Sequence, residues 1–257
     1  MDSSGNHMNI INYNIRSFRQ NADSFFPIFD DKLPQIFVLS ETWFTENYKA
    51  DIPNFNSHHT IRPIRQSGGI SVFVSNIFSS STVCQFSYCN NEIEICTVEI
   101  RMPDETIYLI SIYRPHSGTI TGFISEMERI LGCSIFRNNR CFVVGDLNIN
   151  LCDENSSVKN FVECLQTFHF FPVINKPTRF CPSNTSSPSI LDQIWSNSLC
   201  MYKSGILTYD VTDHCPTFIQ FPICTSTPND REKVKISFRL FNDDSRASFS
   251  NAINQFN

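Results

Sequence analysis

Two spacings of apolar residues run along the chain. Alternating or continuous apolar runs predict strands at "MNIINYN" (8–14), "QIFVLSE" (35–41), "GGISVFVS" (68–75), "NEIEICTVEI" (91–100) and "TIYLISIY" (106–113), separated by Pro, Asn, Asp and Ser. "EIEICTVEI" alternates, as expected of a strand with one wet face, whereas "QIFVL" and "CFVVG" are apolar throughout, as expected of strands covered on both faces. A helical spacing appears twice. It puts Phe123, Ile124, Met127, Ile130 and Leu131 on one face, and Val158, Phe161, Val162 and Leu165 on another, with Ser156 or Ser157 as the second helix's cap. Strands return at "LDQIWS" and "CPTFIQF". Helices interleaved with exposed and covered strands predict an α/β fold: a four-layer α/β sandwich, two packed mixed β-sheets flanked by helices.

The pattern changes near residue 222. "ICTSTPNDREKVK" is polar and reads as a linker; "ISFRLFNDDSRASFSNAINQF" reads as one short amphipathic helix in need of a surface to pack on. The expected organisation is therefore a disordered or cloning-derived segment at 1–7, one domain at 8–222, and a linker with the start of a connector at 223–257. A chain cut from a longer protein fits this pattern.

Composition adds limits. The chain has 257 residues, 41% hydrophobic and 18% charged, enough for a well-filled core to which 24 Phe contribute volume. Its apolar stretches are far shorter than a membrane span, and the N-terminus lacks a secretory pattern, so no membrane association is expected. The 11 cysteines are odd in number, scattered, and never paired as Cys-x-x-Cys, which favours reduced thiols over disulfides or zinc; Cys141 and Cys164 sit where small buried residues fit. A net charge of −5 argues against a protein that coats itself with nucleic acid. It leaves room for an enzyme touching a short stretch of DNA through a local basic rim, for which Arg62 and Arg65, Arg137 and Arg140, and Lys176 and Arg179 are the available pairs.

Polar residues collect at the ends of the apolar runs. "CFVVGDLN" ends in Asp146 and Asn148, which alternation places on one side, with Leu147 toward the core. Asn14 closes the first run, Glu41 the second; Asp192 opens a later one, and Asp213 and His214 precede the last. Singly, each has a plain reading as a turn, a cap or a solvated loop. Together they place several carboxylates, two amides and an imidazole at strand ends, where a rigid scaffold meets free loops. Clustered carboxylates raise one another's pKa, and a hard divalent cation relieves this; oxygen ligands without a Cys or His pair favour Mg²⁺.

"NYNIRSF", "LSETWF", "GGISVFV", "IYRPHSG", "GDLNIN", "LDQIWSN" and "TDHCP" occur in the order and rough spacing of the exonuclease–endonuclease–phosphatase superfamily. Over residues 8 to 222 the chain most resembles the apurinic-endonuclease-type endonuclease domain of non-LTR retrotransposons. The resemblance implies a Mg²⁺-dependent endonuclease, with Mn²⁺ as a substitute, that nicks double-stranded DNA and leaves a 3′-hydroxyl to prime reverse transcription. It implies a reverse transcriptase region downstream in the same polyprotein, and work in the nucleus after synthesis in the cytoplasm. It gives Glu41 the metal, with Asn14 and Asp213 in its shell. Asp146 activates the attacking water, assisted by Asn148; His214, partnered by Asp192, contacts the scissile phosphate. Tyr113 bonds a phosphate oxygen, and Thr212, Arg114, Thr178 and Arg179 are further substrate contacts. "TRFCPSNTSSPSI" (178–190) corresponds to a loop that enters a DNA groove.

Three rivals remain. Apurinic/apyrimidinic-site repair enzymes of this fold typically carry Asp and Lys where this chain has Arg16 and Trp43, which favours the retrotransposon branch; Trp43 also has a plain reading as an exposed lid over the core. A phosphatase or phosphodiesterase of the same fold would call for a denser basic pocket or a membrane anchor. An inactive binding module sits poorly with a full complement of Glu41, Asp146, Asn148, Asp192, Asp213 and His214.

Overall fold

The computed structural model describes residues 7–29, 33–63, 67–179, 187–198, 202–209 and 211–223. Along the chain these form β1 (His7–Asn14), α1 (Phe18–Phe25) with a 3₁₀ turn (Phe26–Phe29), β2 (Ile36–Ser40), β3 (Phe55–Thr60), β4 (Ile70–Ser75), β5 (Ser79–Thr82) and β6 (Tyr88–Cys89). There follow β7 (Glu94–Arg101), β8 (Thr106–Tyr113), α2 (Ile120–Leu131), α3 (Ser134–Arg137), β9 (Arg140–Asp146), α4 (Ser156–Thr167), β10 (Phe171–Pro172), β11 (Asp192–Ser196), β12 (Lys203–Ile206) and β13 (Thr217–Pro222). The proposed helix in 235–256, the linker and residues 1–6 lie outside the described residues.

Two mixed sheets result. One has strand order β12-β13-β1-β2-β4-β3, the other β10-β11-β9-β8-β7-β5. Each has one parallel pair, β1 with β2 and β8 with β9, whose crossovers carry α1 and α2–α3. Alternation along the strands builds the layers. Met8, Ile10, Val38, Val72, Val98, Leu109, Phe142, Val144, Ile194 and Ile219 share a core whose residues come from both sheets. The opposite face of the first sheet packs Ile11, Tyr13, Phe37, Leu39 and Phe73 with Phe18 and Phe25 of α1. The opposite face of the second packs Ile110, Ile112, Val143 and Trp195 with Phe123, Met127, Phe136 and Phe161 from α2, α3 and α4. This is the expected four-layer sandwich.

Several expectations need correction. β7 has no wet face over most of its length: Cys96, Val98 and Ile100 join the inter-sheet core while Ile95 packs on the helical side, so only its end at Glu99 and Arg101 reaches water. The cap of α4 is Asn155, whose Oδ1 accepts from Val158 N at 3.0 Å; Ser156 and Ser157 are already inside the first turn. Trp43 is half-buried rather than an exposed lid. Cys141 and Cys164 are buried thiols, as expected. Among the described residues no helix is long and apolar enough to cross a membrane.

Candidate active site

Strand direction decides where the polar ends meet. In a parallel pair both C-terminal ends share a rim, so Asn14 lies level with Ser40, and Tyr113 with Asp146. Antiparallel neighbours enter from the same rim: Ile70 opposite Ser40, Glu94 opposite Tyr113, and Asp192 opposite Asp146. Asn14, Tyr113, Asp146 and Asp192 each stand in phase with residues of the inter-sheet core on their own strands. They therefore point into the layer between the sheets, at its open end.

The deepest group is a triad. Asp146, Asp192 and His214 are at most 3% exposed, and one potential ligand atom from each lies within 4.8 Å of the others. His214 Nδ1 is 2.8 Å from Asp192 Oδ2. Burial works against a charged imidazole, but the carboxylates of Asp192, Asp146 and Asp213 outweigh it and lift the His214 pKa to about 9. Burial, and then the charge of Asp192, push Asp146 well above the usual carboxylate range, against the opposing pull of His214, Asn14 and the Asn148 amide.

Asn14 links this triad to the first sheet. Its Nδ2 donates to Glu41 Oε1 at 2.7 Å and to Asp146 Oδ2 at 2.9 Å. Glu41 follows β2 with a left-handed φ of 52°, which turns it out of the strand alternation. Tyr113 reaches the same carboxylate: burial, then the charges of Glu41 and Asp146, raise its hydroxyl pKa so that the proton stays on oxygen. Thr212 Oγ1 accepts from Tyr13 Oη at 3.1 Å and from His214 N at 3.1 Å, and donates to Asn14 O at 3.3 Å, tying the last loop to β1.

Alternation does not carry past Asp146. Asn148 has φ 47°, and its Nδ2 donates to Arg114 O at 2.8 Å while its own N–H bonds Asp146 Oδ1 at 3.0 Å. Arg114, expected at the substrate, is buried, and its guanidinium holds Leu147 O, Asn148 O and Gly118 O at 2.8–3.0 Å. Thr178, also expected at the substrate, is fully buried: its hydroxyl donates to Asp192 Oδ2 at 3.0 Å and accepts from Asp192 N and Leu191 N. Both residues hold the framework of the site. Arg179 does reach the mouth, with Nε 2.8 Å from Asp213 Oδ2. Arg62 binds the buried Glu94, and Arg140 starts β9 at the far rim, where it pairs with Glu105; Arg65 and the centre of the 178–190 loop lie outside the described residues.

Glu94 was missed. It is fully buried, accepts from Gly69 N at 2.6 Å, and fills the space above Gly68, whose φ of 91° and lack of a Cβ make room for it. The carbonyls of Gly68 and Gly69 in turn accept from Trp43 N and Thr42 N, just after Glu41. The signal was present in "EICTVEI": a carboxylate in phase with Cys96, Val98 and Ile100 on an otherwise apolar face.

The donor set suits a divalent cation. Glu41 and Asp146 both accept from Asn14 Nδ2, so two carboxylates converge there, an arrangement that cation charge would relieve. Glu41 is half-exposed at the edge of the group. Asp213 fits less well, because both its oxygens face guanidiniums.

No protein-family profile matches the chain, and no curated protein sequence matches it. Solved structures do. The chain is similar to the endonuclease domain of TRAS1, a telomere-specific non-LTR retrotransposon, at 13% identity over 84% of this chain and 99% of that one, with a TM-score of 0.69. It is similar to the AP endonuclease LMAP from Leishmania major at 13% identity (86% of this chain, 89% of that one, TM-score 0.66). It is likewise similar to an AP endonuclease from Archaeoglobus fulgidus at 13% identity (83% and 99%, TM-score 0.62). Identity this low speaks for architecture. The chain has the two-sheet, four-layer fold of the exonuclease–endonuclease–phosphatase proteins, with its carboxylates and histidine gathered at one rim.

Proposed function

We propose that residues 8–222 are a Mg²⁺-dependent endonuclease domain that nicks one strand of double-stranded DNA by phosphodiester hydrolysis and leaves a 3′-hydroxyl. The observation that carries this reading is the buried Asp192–His214 pair beside Asp146, joined through Asn14 to Glu41. Hydrolysis needs a base for the attacking water, neutralisation of charge growing on phosphate oxygens, and help for the leaving oxygen. Asp146, with a raised proton affinity, is suited to take a proton from water near neutral pH. His214, held as imidazolium by Asp192, places a cation against a phosphate oxygen. Tyr113, kept protonated, offers an O–H. Arg114 and Asn148 fix the turn that holds Asp146. Glu41 would hold a Mg²⁺ ion, or Mn²⁺ in its place, and the ion would supply positive charge at the phosphate.

The order of the seven motifs, and Arg16 and Trp43 at two positions where repair enzymes of this fold carry other residues, support the retrotransposon branch. On this reading the nick primes reverse transcription by a downstream region of the same polyprotein, in the nucleus after synthesis in the cytoplasm, and residues 223–257 lead toward that region. End chemistry tests it. Nicked product should be extended directly by a DNA polymerase, with no prior end repair. Product that resists extension until its 3′ end is processed would contradict the proposed cut.

A further inference from the structure

Glu41 and Trp43 have left-handed φ of 52° and 57° on either side of Thr42. For a side chain as bulky as Trp this backbone is an outlier, kept only where the surroundings dictate it. Its neighbours both commit to the core. Thr42 is buried with Oγ1 3.5 Å from Ser71 Oγ, and Phe44 is buried against Phe18, Tyr48 and His59 in the cluster on the α1 side of the first sheet. Trp43 stays half-buried and, among the described residues, joins none of the three apolar clusters. The chain's other tryptophan is a core residue: Trp195 is fully buried, meets Phe161 edge-on and donates from Nε1 to Gln193 Oε1 at 2.8 Å.

Backbone contacts fix Trp43 at the rim of the site. Its N–H donates to Gly68 O at 3.0 Å, Gly68 abuts the Glu94 carboxylate, and Glu94 pairs across the ladder with Tyr113. Trp43 is thus tied to the corner that carries Tyr113 and follows closely on Glu41. A strained backbone and a half-wet indole are two costs, and no apolar cluster among the described residues offsets them. An indole face has a natural partner at such a rim in the face of a nucleobase, on which an aromatic ring stacks whatever the base. Paired bases show only their edges in the grooves, so this contact requires a base that has left its stack.

We propose that Trp43 stacks on an unstacked base beside the scissile phosphate, and so favours DNA that is locally open at the cut. The inference rests on the DNA-nicking reading. The test compares a fully paired duplex with one carrying a short unpaired patch, bound to the full chain in EDTA so that strands stay whole. Affinity is read by anisotropy of labelled DNA, and indole emission is followed with unlabelled DNA, for wild type, Trp43→Tyr and Trp43→Gly, with thermal melting of each. Because Trp195 is buried, quenching by DNA reports Trp43: it should appear in wild type, more with the open duplex, and vanish in Trp43→Tyr. Trp43→Gly should lose about tenfold in affinity for the open duplex and little for the paired one, while Trp43→Tyr stays within a few-fold of wild type. Glycine adopts the left-handed backbone freely, so Trp43→Gly should melt within a few degrees of wild type. Wild type that binds the open duplex without quenching or without preference, or Trp43→Gly that binds it as tightly as wild type, overturns the proposal. So does Trp43→Gly that melts far below wild type and loses both duplexes alike, which makes the indole a structural support. Any of these results in a protein that still nicks DNA overturns this inference alone. Wild type that neither binds nor nicks removes the functional reading and this inference with it.

Discussion

His214 and Asp146 face opposite demands from one cluster. On the proposed mechanism His214 acts while charged, so its contribution should be present below its pKa of about 9 and lost as pH rises through that value. As the proposed base Asp146 acts while deprotonated, so its contribution should be lost as pH falls through a value raised above the ordinary carboxylate range by burial and by Asp192. Nicking should therefore follow a bell with its alkaline limb near pH 9. Asp192→Asn removes the partner that stabilises the imidazolium and should move the alkaline limb down; a rate profile that keeps its limb would separate Asp192 from His214 protonation. At neutral pH, His214→Ala should cost about 10²- to 10⁴-fold in rate, the usual range for a positioned proton-transfer or charge-stabilising group. At this scale the sequence places Asn14, Glu41, Asp146 and Asp192 at the ends of apolar runs, and the structure brings them to one rim. The sequence did not show that Arg114 would bond the carbonyls of Leu147 and Asn148, or Thr178 the carboxylate of Asp192, because such contacts with distant segments are not written in local spacing.

Two strand ends hold the site by backbone proximity. Gly145, one residue before Asp146, has φ 151°, and a Cβ built there would lie 1.7 Å from Ile112 O on the parallel neighbour β8. Gly145→Ala should destabilise the fold by roughly 3 kcal/mol or more, combining overpacking with a backbone that only glycine adopts readily. A melting temperature within a degree or two of wild type would contradict that placement. At the other strand end, Glu94→Ala removes the partner of Arg62 and the acceptor for Gly69 N. The expected loss is about 3 kcal/mol, with a fall of about tenfold or more in nicking as the turn at Glu41 loosens. Full activity in a destabilised Glu94→Ala would confine this residue to folding. The missed strands have a common cause. β3, β5, β10 and β12 are the four sheet edges, with sequences such as "FNSHHT" and "SSST" that carry no apolar run. His58 on β3 has its ring nitrogens bonded by Thr82 and Ser80 of β5, so these edges are fastened to each other by hydroxyls, a pairing that periodicity does not reveal. α1 was missed for a similar reason: only Phe18 and Phe25 of "FRQNADSF" are buried.

For the whole molecule, the central strands and the two long helices were legible because each buries an unbroken apolar face, and so the four-layer architecture followed. Site specificity is a separate matter. At the base of the 178–190 loop Thr178 holds Asp192, and Arg179 pairs with Ser189. A swap confined to 180–188 should change which DNA sites are nicked while leaving nicking itself intact; an unchanged site preference would remove that role. The central claim is DNA nicking at the His214 rim, and it is met most directly by incubating supercoiled plasmid and an abasic-site duplex with wild type and His214→Ala, with and without Mg²⁺. The expected result is plasmid nicking that requires both Mg²⁺ and His214, without strong preference for the abasic duplex. Strong preference for the abasic duplex would move the protein to repair, and cleavage of neither substrate would contradict the account.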